Sequence, residues 1–488
     1  MAEEPARQSS ELLRAEAQVE RRSAVFKKEL GLMDLALTQV LFIVGLPWIG
    51  VAAKQGPSHV VLWLLAMLFF YIPSAVVVIY LNRLMPLEGG LYQWAKLGFN
   101  EMLGFMVAWN LWLFAILNTS EIGLQITQYV RYVIGPEGEW LTANKWFIGA
   151  VSSATIALLV WLATVGLSVG KWVHKAGGVL MIVTFAAVLV LPLLNRQPAA
   201  SESPLLRMEM PALSLMSFNL LGKMGFGALG GFEYVAIHAG ECRDPVRAIS
   251  RSVMLAAPVI AVMFILGTNS VLTLIPQDRI DLIAPIPQVL SEGFRSLSFA
   301  AAIVPMAILA MLCIRVAQSS VMFTGNTRLP MVAGWDQLLP EWFTRLHARY
   351  RTPVNSILFV GAATLALGML GLIGVGKQEA FQLLWNASGV FYALTYLAMF
   401  ALPLVGLRGS GAPRPFWLIA SALSGGLMTL LYIALSIVPI IEVESRLSFA
   451  SKITGLIVLA NVVGLLIFLA AGRRRGARAA LEIPPSDR

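Results

Sequence analysis

Charge is scarce in this sequence. Of 488 residues, 13% are Asp, Glu, Lys or Arg, against about 25% in an average soluble domain. That scarcity excludes a disordered chain, which needs high charge and low hydrophobicity. It also excludes a soluble enzyme with one or two buried cores. Cysteine is rarer still: Cys242 and Cys313 are too few for a disulfide framework or a multi-cysteine metal site. Four histidines without paired spacing argue against a histidine metal cage, so no cofactor is expected. With no nucleotide loop and no nucleophile–base set visible, the chain does not read as an enzyme. What is abundant is apolar surface, 58% of all residues. The composition reads as an all-α polytopic membrane protein whose net charge of +9 has to be placed.

A helix crossing a bilayer needs about 20 mostly apolar residues, because in hydrocarbon every backbone group must be hydrogen-bonded internally. Twelve such stretches are predicted: 31–53, 59–83, 102–133, 146–167, 171–194, 213–240, 249–275, 297–325, 353–375, 380–407, 416–440 and 449–472. They are called spans 1 to 12 below. The tails 1–30 and 473–488 are polar. Of the 36 lysines and arginines, 24 fall in the tails and the loops on their side, and 10 in the loops opposite. The positive-inside rule then places both termini in the cytoplasm and the protein in the cytoplasmic (inner or plasma) membrane. The basic surplus is thus a topology signal, and no nucleic-acid partner is expected. Arg473, Arg474, Arg475 and Arg478 suit the headgroups of a lipid bilayer just after span 12.

Two spans are not ordinary helices. Span 1 contains Val44, Gly45, Leu46, Pro47, Trp48, Ile49 and Gly50, and span 6 contains Gly225, Phe226, Gly227, Ala228, Gly230 and Gly231. Proline removes a backbone donor, and each glycine costs about 1 kcal/mol in a helix. Close packing of small residues would account for Gly227 and Gly231, but not for Pro47 beside Gly45. The two positions correspond if spans 1–5 and 6–10 are repeats. Interrupted spans at matching places in two halves point to a transporter site at the bilayer midplane. Freed N–H groups at Val44, Gly45 and Leu46 would hold a carboxylate. Freed carbonyls at Phe226, Gly227 and Ala228 would hold an amine.

Three loop motifs follow in order. Met85-Pro86-Leu87-Glu88-Gly89-Gly90-Leu91-Tyr92 comes after span 2, and Gly231-Phe232-Glu233 with Glu241-Cys242-Arg243-Asp244-Pro245-Val246-Arg247 comes after the second break. Asp336-Gln337-Leu338-Leu339-Pro340-Glu341-Trp342-Phe343 and Thr352-Pro353-Val354-Asn355 come after span 8. In these motifs the sequence resembles the amino acid–polyamine–organocation (APC) transporter superfamily. The resemblance implies a LeuT-like 5+5 inverted repeat, 31–194 and 213–407, with helices 1 and 6 broken and two C-terminal helices in 416–472. It also implies alternating-access transport of amino acids or related amines. The first break lacks the Gly-x-Gly triplet of many members and is closer to the Gly-x-Pro-aromatic form. Gly227 stands where some exchangers carry an aromatic gate, a task left to Phe226.

Ionisable groups inside a span face a cavity or a partner by default. Glu121 in span 3 is either a contact to a substrate amine or proton, or a polar cap. Glu233 follows the second break, as a proton-linked group or a support of the opened helix, and His238 reads as a satisfied polar contact. Arg315 lies about 24 Å into span 8 at about 1.5 Å per residue, with Ser319 one turn on. It would replace a sodium ion, pair with Glu233, or snorkel to the cytoplasmic face. Lys223 either lines an outer vestibule or snorkels outward. Trp385 and Asn386 line the cavity or pack in the scaffold. The expected function is a secondary active transporter of a small-molecule substrate, an amino acid, coupled to a proton (less readily sodium) or working as an exchanger. The alternatives are a polyamine or organic-cation importer, or a non-transporting membrane sensor or subunit.

Overall fold

A computed structural model describes residues 14, 17–21, 23, 28–194, 208–295, 300–371, 377–405, 413–440, 443 and 445–481. Arg196, Arg207, Arg408 and Arg488, the residues 482–488 and most of the N-terminal tail lie outside the described residues, as does the Arg478 side chain. The regular secondary structure of the described residues is all helical, apart from one isolated parallel bridge between Leu30 and Cys242.

Nine of its helices are long and apolar enough to cross a membrane, and a bent pair makes up to ten. The predicted spans 2 to 5 appear as Gly56–Leu84, Glu101–Ile134, Lys145–Val165 and Leu167–Leu194. Spans 7, 8, 10, 11 and 12 appear as Pro245–Leu274, Ala302–Trp335, Phe381–Val405, Phe416–Leu435 and Arg446–Arg475. Span 8 runs ten residues beyond its predicted end. Pro305 and Pro330 both lie inside this helix, which continues past each of them. Span 9 is the shorter helix Val354–Gly371.

Spans 1 and 6 are both interrupted. Span 1 is the pair Leu32–Ile43 and Leu46–Ala53, bent by 44°. Gly45 is extended (φ −74°, ψ 110°), and Pro47 sits in the first turn of the second half, where its missing N–H costs nothing. Span 6 starts as an α-helix, Leu215–Gly222, widens into one π-turn, Lys223–Ala228, and resumes as the 3₁₀ segment Tyr234–Glu241. A π-turn of this kind is a local loosening common at functional sites. Between the halves Gly231 takes φ +139°, a conformation side chains disfavour. A Cβ there would lie 2.7 Å from the Phe42 ring and 2.8 Å from Ile43, so this glycine brings the two broken spans together.

Candidate functional site

A cavity lies where the two breaks meet, walled by Gly45, Leu46 and Trp48 of span 1 and Phe226, Gly227 and Gly230 of span 6. Spans 3, 8, 10 and 11 close it with Asn118, Tyr129, Arg315, Gln318, Ser388 and Tyr432, among others. Val44 and Ala228 are buried but do not line it.

The first break is held open from span 8. Gln318 Nε2 donates to the Leu41 and Val44 carbonyls, both at 2.9 Å. An apolar side chain there would leave two carbonyls unpaired inside a membrane, so one amide stabilises the interruption. The Val44 N–H is taken by the Val40 carbonyl at 3.1 Å and the Gly45 N–H by the Ile43 carbonyl at 2.7 Å. Of the three groups expected to hold a carboxylate, this leaves the Leu46 end, at the N-terminus of Leu46–Ala53, where no side chain caps the helix.

Trp48 ties the breaks to each other. A Cβ on Gly45 would lie 2.6 Å from Trp48 Cδ1, and one on Gly227 would lie 2.6 Å from Cη2 at the far edge of the same ring. One indole thus spans both glycines. It stands edge-on to Trp385 at 5.3 Å. Pro47, Trp48 and Trp385 also border a second, smaller cavity, whose other walls include Lys223, Gln382 and Asn386. These three residues partition the two spaces. Phe226, the expected aromatic gate, is packed among Phe70, Tyr392, Tyr396 and Tyr432.

Glu233 does not meet Arg315. Its two carboxylate oxygens accept from the Tyr392 and Tyr396 hydroxyls of span 10. Tyr396 in turn accepts the Gly231 N–H at 2.7 Å, so its own proton points to Glu233. The arrangement fastens the opened part of span 6 to span 10. Arg315 instead faces Glu121, Nη2 to Oε1 at 3.8 Å, and is buried within the bundle rather than snorkelling. Glu121 sits at a helix joint between Glu101–Ser120 and Ile122–Ile134 and accepts from Gln125 Nε2 at 2.9 Å. Ser319 lines the cavity beside Arg315. Lys223 Nζ donates to Asn386 Oδ1 at 3.0 Å, and the Asn386 amide donates to the Ser436 carbonyl at 3.0 Å. Trp385 lines both cavities.

The three loop motifs converge at one end of the bundle. Gly90 has φ +47°, and a Cβ on it would lie 2.9 Å from the backbone of Ala236 and Ile237. The loop therefore packs backbone to backbone against span 6. Glu88 Oε2 accepts the Gly240 N–H at 2.7 Å, and Glu241 takes Arg328 at 2.5 Å and His238 at 3.0 Å. Tyr92 donates to Asp336, which also meets Lys96 at 2.6 Å. The segment before span 1 joins this cluster, with the Glu29 and Leu30 N–H groups on the Glu241 carbonyl, each at 3.0 Å. Burial, and secondly the Glu241 carboxylate, raise the Glu88 carboxyl from its ordinary 4.5 to about 8.

Sequence reasoning missed Gln318, Trp48, Tyr392 and Tyr396. A polar residue three positions after Arg315 was a visible signal for Gln318. No pattern in the sequence distinguishes Tyr396 from other interior aromatics.

The amino acid permease family matches residues 30–469. An uncharacterized transporter of Legionella pneumophila is 25% identical over 395 residues, covering 80% of this chain and 83% of the relative. A chloroplastic cationic amino acid transporter of Arabidopsis thaliana is 24% identical over 383 residues, 70% of this chain and 63% of its own length. An aspartate/glutamate permease of Lactococcus lactis is 22% identical over 366 residues, 71% and 73% of the two chains.

Proposed function

This chain belongs to the amino acid permease family of the APC superfamily, and from that premise we propose that it is a secondary active transporter of amino acids in the cytoplasmic membrane. The observation that carries this reading is the cavity bounded by both helix breaks, with Trp48 seated across Gly45 and Gly227. An amino acid there would set its carboxylate at the N-terminal end of Leu46–Ala53, by the Leu46 N–H. Its ammonium would meet the carbonyls of the π-turn around Phe226, Gly227 and Ala228. Twelve spans, arranged as two inverted five-helix repeats plus two helices with both termini cytoplasmic, would put this site midway through the bilayer. Rocking of one bundle against the other would expose it alternately to each side. On that topology the Trp48–Trp385 partition separates the site from an outer vestibule that holds Lys223.

Arg315 supports coupling to protons, or exchange, rather than to sodium. A fixed guanidinium next to Ser319 supplies positive charge beside the cavity, in the role a bound sodium ion would otherwise fill. Uptake by purified protein in liposomes, with sodium and pH gradients imposed separately, tests the reading. Uptake or counterflow of an amino acid that survives removal of sodium is expected. Strict dependence on a sodium gradient would sink the coupling, and uptake of putrescine with no amino acid uptake would sink the substrate.

A further inference from the structure

Among the described residues, the main cavity is lined by one formally charged side chain, and it is a cation. Arg315 is 8% exposed, and its Nε and Nη2 carry no hydrogen bond. The Nε–Nη2 edge is the one that grips a carboxylate with two parallel hydrogen bonds. Glu121 faces it, but at 3.8 Å the oxygen is beyond hydrogen-bond reach, and Glu121 does not line the cavity. Besides Gln125 Oε1 and the Tyr432 hydroxyl, two polar groups border the same space without a partner: the Ser319 hydroxyl, one turn along span 8, and the Tyr129 hydroxyl of span 3. Both are buried, Tyr129 completely. One cation and two hydroxyls therefore converge on a wall that carries no carboxylate.

A desolvated guanidinium without hydrogen bonds is costly, and an anion arriving in the cavity would relieve that cost. A lysine or polyamine ammonium in the same place would meet like charge with no opposing acid in contact. We propose that Arg315, with Ser319 and Tyr129, binds the side-chain carboxylate of an acidic amino acid and so sets the substrate class of this transporter. The inference rests on the reading that the two breaks hold the main chain of the substrate, which directs its side chain toward spans 3 and 8.

The test is uptake of labelled L-glutamate, L-glutamine, L-alanine, L-lysine and putrescine by the purified protein in liposomes. Each is measured in chloride and in gluconate, for wild type, Arg315→Met and Glu121→Gln. Wild type should take glutamate over its neutral isostere glutamine by about tenfold or more, in either anion. Arg315→Met should bring that ratio to one or below, while Glu121→Gln should keep glutamate preferred. Uptake of alanine and glutamine with no preference for glutamate would overturn the inference and leave the transport reading standing. Activity that needs chloride without discriminating glutamate from glutamine would also overturn it, making the subsite one for a free anion. Loss of the preference in Glu121→Gln to the same extent as in Arg315→Met would reduce Arg315 to half of a structural ion pair. Putrescine uptake alone would overturn both readings. Because wild type is itself read out, misfolding of Arg315→Met does not remove the test.

Discussion

Gly227→Ala adds one methyl group at the point where the two broken spans touch. That Cβ would lie 2.6, 2.9 and 3.1 Å from Trp48 Cη2, Cζ2 and Cζ3. The first distance is about 0.8 Å inside the 3.4 Å at which ordinary contact begins. The ring cannot simply slide away, because Gly45 abuts its opposite edge and Trp385 stands beside it at 5.3 Å. Overpacking of this kind costs about 1–3 kcal/mol. Applied to the state with Trp48 seated, it lowers that state's population about 5- to 150-fold. Uptake should fall accordingly while the protein remains folded in the membrane, and Gly227→Trp should abolish it. The double-mutant cycle with Trp48→Phe makes the cause specific. Phenylalanine lacks the outer edge that meets Gly227, so Trp48→Phe should recover much of the activity of Gly227→Ala. It should not recover Gly45→Ala, whose Cβ meets Cδ1, an atom position phenylalanine retains. The readouts are initial uptake rate in liposomes and apparent melting temperature in detergent. Wild-type uptake by Gly227→Ala, or equal rescue of both glycine variants, would refute the wedge.

Gln318→Leu should lower the melting temperature, since two carbonyls at the first break lose their donor; each unpaired buried group costs about 1–3 kcal/mol. A stability equal to wild type in a thermal unfolding assay would mean that another group caps the break. Tyr396→Phe should destabilise more than Tyr392→Phe, because it strands both the Gly231 N–H and a Glu233 oxygen; equal losses would count against the clasp. Glu88 supplies a pH signature. Its folded-state value of about 8 lies above the ordinary 4.5, so the folded protein binds the extra proton between those values. Stability from this group is full below pH about 4.5 and is lost as pH rises toward about 8. Glu88→Gln should flatten the fall in melting temperature over that window, and an unchanged slope would assign it to other groups.

Much of the fold was legible because a bilayer imposes length and composition on every crossing helix. Apolar runs of sufficient length marked the spans, and Gly45, Pro47 and the glycines of 225–231 marked the interruptions, since neither residue type sits comfortably in a lone helix. Span ends were less legible: span 8 continues past Pro330 to Trp335, where that proline and the turns around it are buried, a tertiary effect. The site divides in the same way. Glu121, Glu233, Lys223 and Arg315 stood out because charge inside a span is costly.

Their partners did not stand out, because partners are set by helix rotation and depth, which apolar sequence leaves open. Only the tertiary structure set Arg315 opposite Glu121, without a hydrogen bond, rather than beside Glu233, gave Glu233 to two tyrosines, and gave Lys223 to Asn386. It alone showed that Gln318 supports the first break and that one indole reaches from Gly45 to Gly227. Sequence by itself determined that this is a helical membrane protein with two weakened spans, because solvation energy acts residue by residue. The tertiary structure decided what fills the weakness, because hydrogen bonds and steric contact depend on distances between segments far apart in the chain.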